Sequence, residues 1–446
     1  MTPDVRAVHS GARVPTGPDS GAQAVLRSRA EAEAYVASVC FKHGPPRLVG
    51  AELEWLLHPA GDPHAPVDLA TLVAALGPHT PSCLDPRSPA TTLPAGSAVT
   101  VEPGGQVEIA SPPLPDIGAL TAALDSDSRA LHERLAGHGL VALPRAADGA
   151  RPPHRLLDLP RYRAMEHAFD RIGPYGRSGM CATAAVQVCL DPGEEDALVH
   201  RWTALHALGP VLMAAFANSP RLHGRRTGWK SSRMAAWLAL DPVRTAPPRA
   251  VDLADPATGW ARRVLDTPLL CLRRPEGSWS APAGVTFADW IAGALTPAPT
   301  TDDLDYHVTT MFPPVRPHGH VEVRYIDMQP GRRWAVPVAV VAALVAEPVV
   351  TDRVLEVCEP TAGRWESGAR HGLADRVLAR AATRLFDLAC SRMPAVGASP
   401  WVVDLLGEHI ERYVLRGRCP ADDPDPADGP ALRSPVPSAE SEGRTA

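Results

Sequence analysis

Short stretches in which apolar and polar residues alternate mark the predicted strands of this chain. The clearest is GHVEVRYID at 319–327, where Glu322 and Arg324 share one face and the apolar side chains share the other. A strand that is apolar on one face only belongs to a sheet with one side covered by the core. Related stretches predict the other strands, at 48–56, 98–102, 106–110 and 179–190.

Longer stretches with apolar residues at helical spacing predict helices between and after these strands. They lie at 24–40, 117–136, 161–170, 196–217, 334–346, 373–391 and 400–415. We expect Pro210 to interrupt the fourth of them. Strands joined by hairpins and separated by long helical stretches give no regular βαβ alternation, so the pattern favours the α+β class with a largely antiparallel sheet.

The two ends of the chain differ from its middle, because they lack apolar periodicity and are rich in turn-forming and polar residues. No long linker and no internal repeat lies between them. The sequence therefore predicts one folded domain over 23–417, flanked by disordered tails at 1–22 and 418–446.

Composition narrows the class of protein. The chain has 446 residues, 45% of them hydrophobic and 21% charged, which is typical of a soluble globular protein. A net charge of −6 gives no reason to expect nucleic acid or an anionic membrane as a partner. The N-terminus lacks the apolar core of a signal peptide, and the longest apolar run, 334–346, is interrupted by Pro337 and too short to span a bilayer.

The eight cysteines are scattered and include no CxxC pair. This spacing argues against a disulfide framework or a zinc ribbon, and it fits reduced thiols in a cytoplasm. We therefore expect a cytoplasmic protein. The oligomeric state is not fixed by the sequence, and a monomer is compatible with it.

Acidic residues recur on the predicted strands. Glu52 and Glu54, in VGAELEW, are two apart and so point to one face of their strand. The stretch VTVEPGGQVEIAS at 99–111 predicts a hairpin that carries Glu102 and Glu108. A two-residue loop of Gly104 and Gly105 would place these two on opposite faces. A three-residue loop from Gly104 to Gln106 would place them opposite each other on one face, and the sequence leaves both open.

Like charges packed side by side are costly unless a cation lies between them. Three strand segments with acids at same-face spacing favour a shared divalent cation, with Glu322 as a ligand and Arg324 as a phosphate contact. An all-carboxylate set suits Mg²⁺ or Mn²⁺ better than zinc. The alternative is that E-x-E is a solvated edge and that Glu322 and Arg324 form a surface pair worth less than about 1 kcal/mol.

Other signals are weaker. His318 and His320 flank the Glu322 strand but are poor candidates for ligands, and Cys181 and Cys189 are more typical of the core. A pair of glycosidase carboxylates is disfavoured by an aromatic content of only 5%. The stretch GRRTGWKSS at 224–232 fails the Walker A spacing, and GPYGRSG at 173–179 is not a dinucleotide fingerprint. Any ATP phosphates would have to be held by metals and arginines.

Four stretches, in order along the chain, resemble the glutamate–cysteine ligase family of carboxylate–amine ligases, plant and actinobacterial type. Within it they are most similar to the actinobacterial branch that makes γ-glutamylcysteine for ergothioneine synthesis. The stretches are VGAELEW, LPRYRAMEHAFDRIGPYGRSGMCATAAVQVCLD (159–191), FANSPRLHGRRTGWKSSRMAAWLALDPVRT (216–245) and DYHVTTMFPPVRPHGHVEVRYID (305–327).

The resemblance implies a glutamine synthetase-like cradle, in which a curved, largely antiparallel sheet with packed helices holds the substrates, and it makes 23–417 the catalytic domain. It implies Mg²⁺, or Mn²⁺, bound by Glu52, Glu54, Glu102, Glu108 and Glu322. It assigns catalytic contacts to Arg324 and Arg233. Its substrate- or nucleotide-binding residues map to Gln187, Thr183, Arg316, Asn218 and Trp237. The chain departs from the family at Cys189, where many relatives carry Asn, and in MAAWLALDP (234–242), which is more apolar than usual.

The implied partners are ATP, L-glutamate and L-cysteine. The implied reaction transfers a phosphoryl group from ATP to the γ-carboxylate of glutamate, and the amine of cysteine then displaces the phosphate. Two alternatives stay open. The chain could join glutamate to a different amine on the same fold, or it could be a non-catalytic relative that binds Mg·ATP.

Overall fold

The computed structural model describes residues 24–424, so the tail predicted at 1–22 lies outside the described residues. The strands are β1 (Val49–Trp55), β2 (Leu57–Pro59), β3 (Ala98–Val101), β4 (Val107–Ala110), β5 (Leu140–Ala142), β6 (Ala185–Leu190), β7 (Arg221–Leu222), β8 (Arg225–Arg226), β9 (Val315–Pro317) and β10 (Val321–Asp327).

The described residues also form seventeen α-helices. They are α1 (Arg29–Cys40), α2 (Leu69–Leu76), α3 (Ile117–Gly137), α4 (Pro160–Ile172), α5 (Gly176–Cys181), α6 (Glu195–Ala215), α7 (Ser232–Leu240), α8 (Pro242–Thr245), α9 (Ala250–Ala254), α10 (Pro256–Asp266), α11 (Phe287–Asp289), α12 (Thr301–Val308), α13 (Ala335–Leu344), α14 (Pro348–Cys358), α15 (Trp365–His371), α16 (Arg376–Arg392) and α17 (Pro400–Arg412).

Six strands form the main sheet in the order β3-β4-β1-β6-β10-β9. Every neighbouring pair in it is antiparallel. The chain is therefore an α+β protein with an antiparallel sheet, which confirms the predicted class. The predicted strands around 48–56, 98–102, 106–110 and 319–327 all belong to this sheet.

The two faces of the main sheet differ in chemistry because side chains alternate along each strand. Leu53, Ile109, Val186 and Val323 are fully buried on one face, against which α3, α6 and α13 pack. The opposite face carries the acidic side chains. We call it the polar face and define it by Glu52, Glu54, Glu102, Glu108, Gln187 and Glu322.

Two predicted elements differ from the structure. Helix α6 runs unbroken through Pro210, and the side chains around the proline are fully buried. Packing of a buried helix outweighs the backbone hydrogen bond that a proline removes. The strand predicted over 179–190 begins only at Ala185, since its first residues belong to α5. There the Thr183 hydroxyl donates to the Gly179 carbonyl at 2.7 Å and closes the end of that helix.

The described chain continues past the boundary predicted at residue 417. Cys419 and Ala421 are buried, Ala421 N donates to the Ala217 carbonyl at 2.8 Å, and Lys230 pairs with Asp422. Residues 418–424 therefore pack on the domain, whereas the rest of the predicted tail lies outside the described residues.

Helix α13 lies within the helix predicted at 334–346, and it is buried along its whole length. Within residues 24–424 no single helix is long and apolar enough to cross a membrane. One pair of helices, Gly331–Leu344 and Pro348–Thr361, meets the criteria of length and composition together, but it bends by 106°.

The turn between β3 and β4 packs closely against the backbone of Cys181, and a substitution can test this contact. A Cβ added at Gly104 would lie 2.2 Å from the backbone carbonyl oxygen of Cys181, and a backbone atom cannot easily move away. We expect Gly104→Ala to lower the free energy of unfolding by about 1–3 kcal/mol, measured by denaturant titration. Gly407→Ala is the matched control, because Gly407 lies inside α17 with no atom within 4 Å of an added Cβ. There the change should be neutral or stabilising by up to about 1 kcal/mol. Equal effects at the two positions would contradict the close approach.

Candidate active site

The β3–β4 hairpin settles the facing of its two glutamates. The loop has three residues, Pro103 to Gly105, and is closed by Glu102 N donating to the Gln106 carbonyl at 2.8 Å. Gly105 has a φ of 85°, which glycine adopts at little cost. The loop lies one residue earlier than the three-residue loop considered from the sequence. Glu108 consequently lies opposite Thr100, and Glu102 lies on the same face, diagonal to Glu108.

Register brings the glutamates of different strands together on the polar face. Glu54 lies opposite Glu108 across β1 and β4, and Glu52 lies opposite Gln187 across β1 and β6. Glu322 of β10 lies on the next strand, opposite Cys189. The side chains are well covered: Glu108 and Glu322 are each 1% exposed and Glu52 is 6% exposed. The five glutamates therefore form one continuous, largely desolvated group.

Electrostatics make this group unfavourable on its own. Burial, with repulsion from Glu322, raises the pKa of Glu52 to about 8. Burial, with repulsion from Glu54, raises the pKa of Glu102 to about 7. Burial also raises the pKa values of Glu54 and Glu108, and three other glutamates repel Glu108. Acids with raised pKa values become stable as carboxylates when a cation joins them, so the donor set fits a hard divalent ion.

Glu322 differs from the other four because it faces two arginines. Arg316 donates to both of its oxygens, at 2.6 Å from Nε and 3.1 Å from Nη2, and Arg324 Nη1 donates at 2.8 Å. Burial alone would raise the pKa of Glu322, but the two guanidiniums outweigh burial and lower it. Glu322 is thus a carboxylate that orients arginines at the edge of the acidic group.

Gln187 connects the acids to the arginines. Its Nε2 donates to Glu54 at 2.7 Å and to Glu108 at 3.4 Å, while its Oε1 accepts from Arg324 Nη1. An amide can do both because it carries a donor and an acceptor. The Arg324 guanidinium is therefore fixed at the point where the acidic group ends.

A bulge in β10 adds a residue that the sequence reasoning left out of the site. Val323 lies opposite Val188 but Ile326 lies opposite Val186, so three residues of β10 span two of β6. The bulge reverses the alternation, and Asp327 returns to the polar face, opposite Ala185. The motif E-x-R-x-x-D, which ends at Asp327, could have indicated this residue. Simple alternation along the strand instead assigns Asp327 to the apolar face.

Asp327 organises the residues around Arg233. It accepts from Ser219 Oγ at 2.7 Å and from Ser231 Oγ at 2.8 Å, and it lies 3.6 Å from Arg233 Nη1. Arg233 in turn donates from Nη2 to the carbonyl of Arg324 at 2.7 Å. The two predicted catalytic arginines are therefore neighbours: the Arg233 guanidinium contacts the Arg324 backbone, and the buried Asp327 holds Arg233.

The remaining predicted binding residues divide into two groups. Trp237 Nε1 donates to Thr183 Oγ1 at 3.2 Å, and the Trp237 ring lies edge-on to Phe312 with centroids 5.7 Å apart. A pocket beside them is lined by Arg233, Met234, Trp237, Thr245, Phe312, Pro313, Pro314 and Arg324. It has guanidiniums on one side and apolar walls on the other, which suits an amino acid or a nucleobase.

Asn218 does not join that pocket. Its side-chain amide nitrogen donates to the carbonyls of Pro144 and Met328, and its oxygen accepts from Arg145. Its backbone N–H also donates to Asp327 at 2.8 Å. Asn218 therefore holds the backbone segments around it in place, and it does not face the pocket.

Comparison with known families accounts for this arrangement. The model of glutamate–cysteine ligase family 2 (GCS2) matches residues 48–425, which include every strand of the main sheet. The chain belongs to glutamate–cysteine ligase family 2. The resemblance noted from the four sequence stretches is confirmed.

Individual members of this family are similar over most of the chain. Glutamate–cysteine ligase EgtA of Mycobacterium tuberculosis is 37% identical over 408 residues, covering 90% of each chain. EgtA of Mycolicibacterium smegmatis is 39% identical over 330 residues, covering 72% of this chain and 75% of that protein. The crystal structure of a glutamate–cysteine ligase from Francisella tularensis in complex with AMP has a TM-score of 0.49 at 12% identity, covering 85% of this chain and 84% of that one.

The raised pKa values predict how the stability of the metal-free ligase depends on pH. Glutamate has an ordinary pKa of 4.5, and Glu52 is raised to about 8 in the folded protein. Between these values the folded protein keeps a proton that the unfolded chain has lost, so stability falls as pH rises. The slope is up to about 1.4 kcal/mol per pH unit for one such proton.

In EDTA, unfolding free energies measured from pH 5.5 to 7.5 should therefore fall less steeply for Glu52→Gln than for the parent. Glu411→Gln, at an exposed position of α17, is the control and should keep the parent slope. A Glu52→Gln slope equal to the parent's would contradict the raised pKa.

Proposed function

We propose that this chain ligates L-glutamate to L-cysteine, using ATP and Mg²⁺, and forms γ-glutamylcysteine through a γ-glutamyl phosphate. The observation that carries the proposal is that five glutamates lie with Arg324 on one sheet face, and that Arg233 of α7 contacts the backbone of Arg324. The 37% identity to glutamate–cysteine ligase EgtA over 90% of the chain supports the substrate pair. It also supports a place for the product in ergothioneine synthesis.

The acidic group fits a magnesium site that is completed by the substrate. Among residues 24–424, no three glutamates of the polar face bring ligand atoms within 4.8 Å of one another, as an all-carboxylate cage would. Mg²⁺ usually takes one or two carboxylates and fills its other positions with water and substrate phosphates. We assign Glu52, Glu54, Glu102 and Glu108, with Glu322 as the predicted fifth, as ligands shared by more than one Mg²⁺ ion, so that each ion takes one or two carboxylates. When bound, the ion neutralises the phosphate oxygens of ATP.

In the proposed first step an oxygen of the glutamate γ-carboxylate attacks the γ-phosphorus of ATP, and the bond from that phosphorus to ADP breaks. Arg324 neutralises charge on the group in transfer, since Glu322 and Gln187 already hold its guanidinium in place. In the second step the neutral amine of cysteine attacks the acyl carbon. The bond to phosphate then breaks, inorganic phosphate leaves, and the amine gives its proton to water, which leaves the amide.

Arg233 would bind an anionic group of the glutamate or the phosphate. Burial lowers its pKa, and Asp327 acts against that shift and keeps the guanidinium positioned. The pocket between Arg233 and Trp237 lies beside this contact, and its lining offers guanidiniums and apolar side chains to an amino acid or to adenine. A cytoplasmic location is supported by the eight cysteines, all of which are unpaired thiols.

The deciding experiment measures phosphate release with ATP, Mg²⁺, L-glutamate and L-cysteine, with the product identified by mass. ADP and γ-glutamylcysteine are expected. Phosphate released only with another amine would keep the ligase reaction and change its second substrate. Binding of Mg·ATP without turnover in a screen of amines would support the non-catalytic alternative and overturn the proposal.

Two substitutions test the assigned roles. Glu54→Gln removes one charge from the proposed ligand group, and we expect kcat to fall by about 10²-fold or more at saturating Mg²⁺. Arg324→Lys leaves a point charge that cannot contact Glu322, Gln187 and a phosphate together, so a similar loss is expected.

Circular dichroism and thermal unfolding establish that each variant is folded, and Glu411→Gln serves as the surface control. A near-normal kcat for folded Glu54→Gln would remove it from the ligand set. A near-normal kcat for Arg324→Lys would remove the phosphoryl contact.

A further inference from the structure

Three side chains of different chemistry meet at the β6–β10 edge of the polar face. One ligand atom each from Cys189, His320 and Glu322 lie within 4.8 Å of one another. Cys189 and His320 are partly exposed and Glu322 is buried, so an ion from solution would meet the thiol and the imidazole first. None of the glutamates assigned above to Mg²⁺ belongs to it except Glu322.

The backbone fixes this trio without help from a ligand. Cys189 is the direct cross-strand partner of Glu322, and such partners have Cβ atoms about 5 Å apart. His320 precedes Glu322 by two residues and closes the β9–β10 turn, in which His318 N donates to the His320 carbonyl at 2.7 Å. Gly319 supplies the positive φ of 76° that this turn requires. A strand pair and a tight turn therefore hold a thiol, an imidazole and a carboxylate on one side.

The ligand types select the ion. A thiolate and an imidazole together are ligands of Zn²⁺ and similar thiophilic ions, with bonds of about 2.0–2.3 Å, whereas Mg²⁺ prefers oxygen. Glu322 Oε1 accepts from Arg316 Nη2 at 3.1 Å, so an ion bound there would share Glu322 with that guanidinium. Glu52 adds negative charge near Cys189, and Asp191 adds it near His320, while Arg316 and Lys42 oppose them. Three protein ligands leave the fourth tetrahedral position for water.

We propose that Cys189, His320 and Glu322 form a binding site for a thiophilic divalent ion, and that its occupation inhibits the ligase. The Cys189 thiol gives its proton to water as the metal–sulfur bond forms. Inhibition follows because the ion draws on Glu322, which orients Arg316 and Arg324 and is the predicted fifth magnesium ligand. The inhibitory part rests on the proposed function, whereas the binding site does not.

Cobalt substitution tests the site directly. The reduced, EDTA-treated full chain is titrated with Co²⁺ in the absence of substrates. We expect a sulfur-to-cobalt charge-transfer band in the near ultraviolet that saturates at one ion per chain. Cys189→Ser should abolish the band, and His320→Gln should weaken the affinity by about tenfold or more. Cys390→Ser, at an exposed cysteine of α16, should keep the band. No band in the parent protein, or a band that survives in Cys189→Ser, would overturn the site.

Inhibition is measured separately as phosphate release at saturating Mg²⁺, with free Zn²⁺ fixed by a nitrilotriacetate buffer. Each protein is compared with its own rate at zero zinc. We expect Cys189→Ser and His320→Gln to require at least tenfold more free Zn²⁺ than the parent or Cys390→Ser for half inhibition. Equal sensitivity of all four proteins would overturn the inhibitory role. A parent protein without ligase turnover would refute the proposed function, and the cobalt titration would still decide the metal site.

Discussion

Repulsion among buried carboxylates is the constraint on which the rest of this structure depends. Glu52, Glu54, Glu102 and Glu108 come from three strands and meet where water is scarce, so burial and mutual repulsion raise their pKa values. Such an arrangement lowers stability unless a cation or a proton compensates it. A fold that keeps these residues together gives up stability in exchange for a site with high affinity for positive charge.

The sheet imposes that arrangement through register. In an antiparallel sheet a slip of one residue would send a whole row of side chains to the other face. Gly104 packs against the Cys181 backbone and Gly105 adopts a positive φ, and together they set the turn that holds Glu108 beside Glu54. Helices α3, α6 and α13 cover the apolar face and leave no alternative register without burying acids in the core.

Sequence patterns correctly predicted which side chains share a face where this depends only on alternation within one strand. Glu52 with Glu54, and Glu322 with Arg324, follow from positions two apart. The face occupied by Glu108 relative to Glu102 stayed open because it depends on whether the loop has two residues or three, a difference of a single residue. Asp327 was missed because a bulge reverses the alternation, and no residue in VEVRYID marks a bulge. Pro210 and the start of β6 were misjudged because long-range packing overrode local preference.

Charge along the polar face also orders the substrates in the proposed reaction. The acidic side chains near the β3–β4 hairpin suit cation-bound phosphates, whereas Arg233 and the pocket at Trp237 suit the carboxylates of an amino acid. A phosphoryl group in transfer between the two must lie where these regions meet. Arg324 is at that place, bonded to Gln187 on the acidic side and to Glu322 on the other. Because Glu322 holds Arg324, an ion that binds Glu322 from the side of Cys189 would displace the arginine. Such an ion need not enter the acidic group. The pairing of Glu322 with Arg324 thus connects the proposed chemistry to the proposed inhibition.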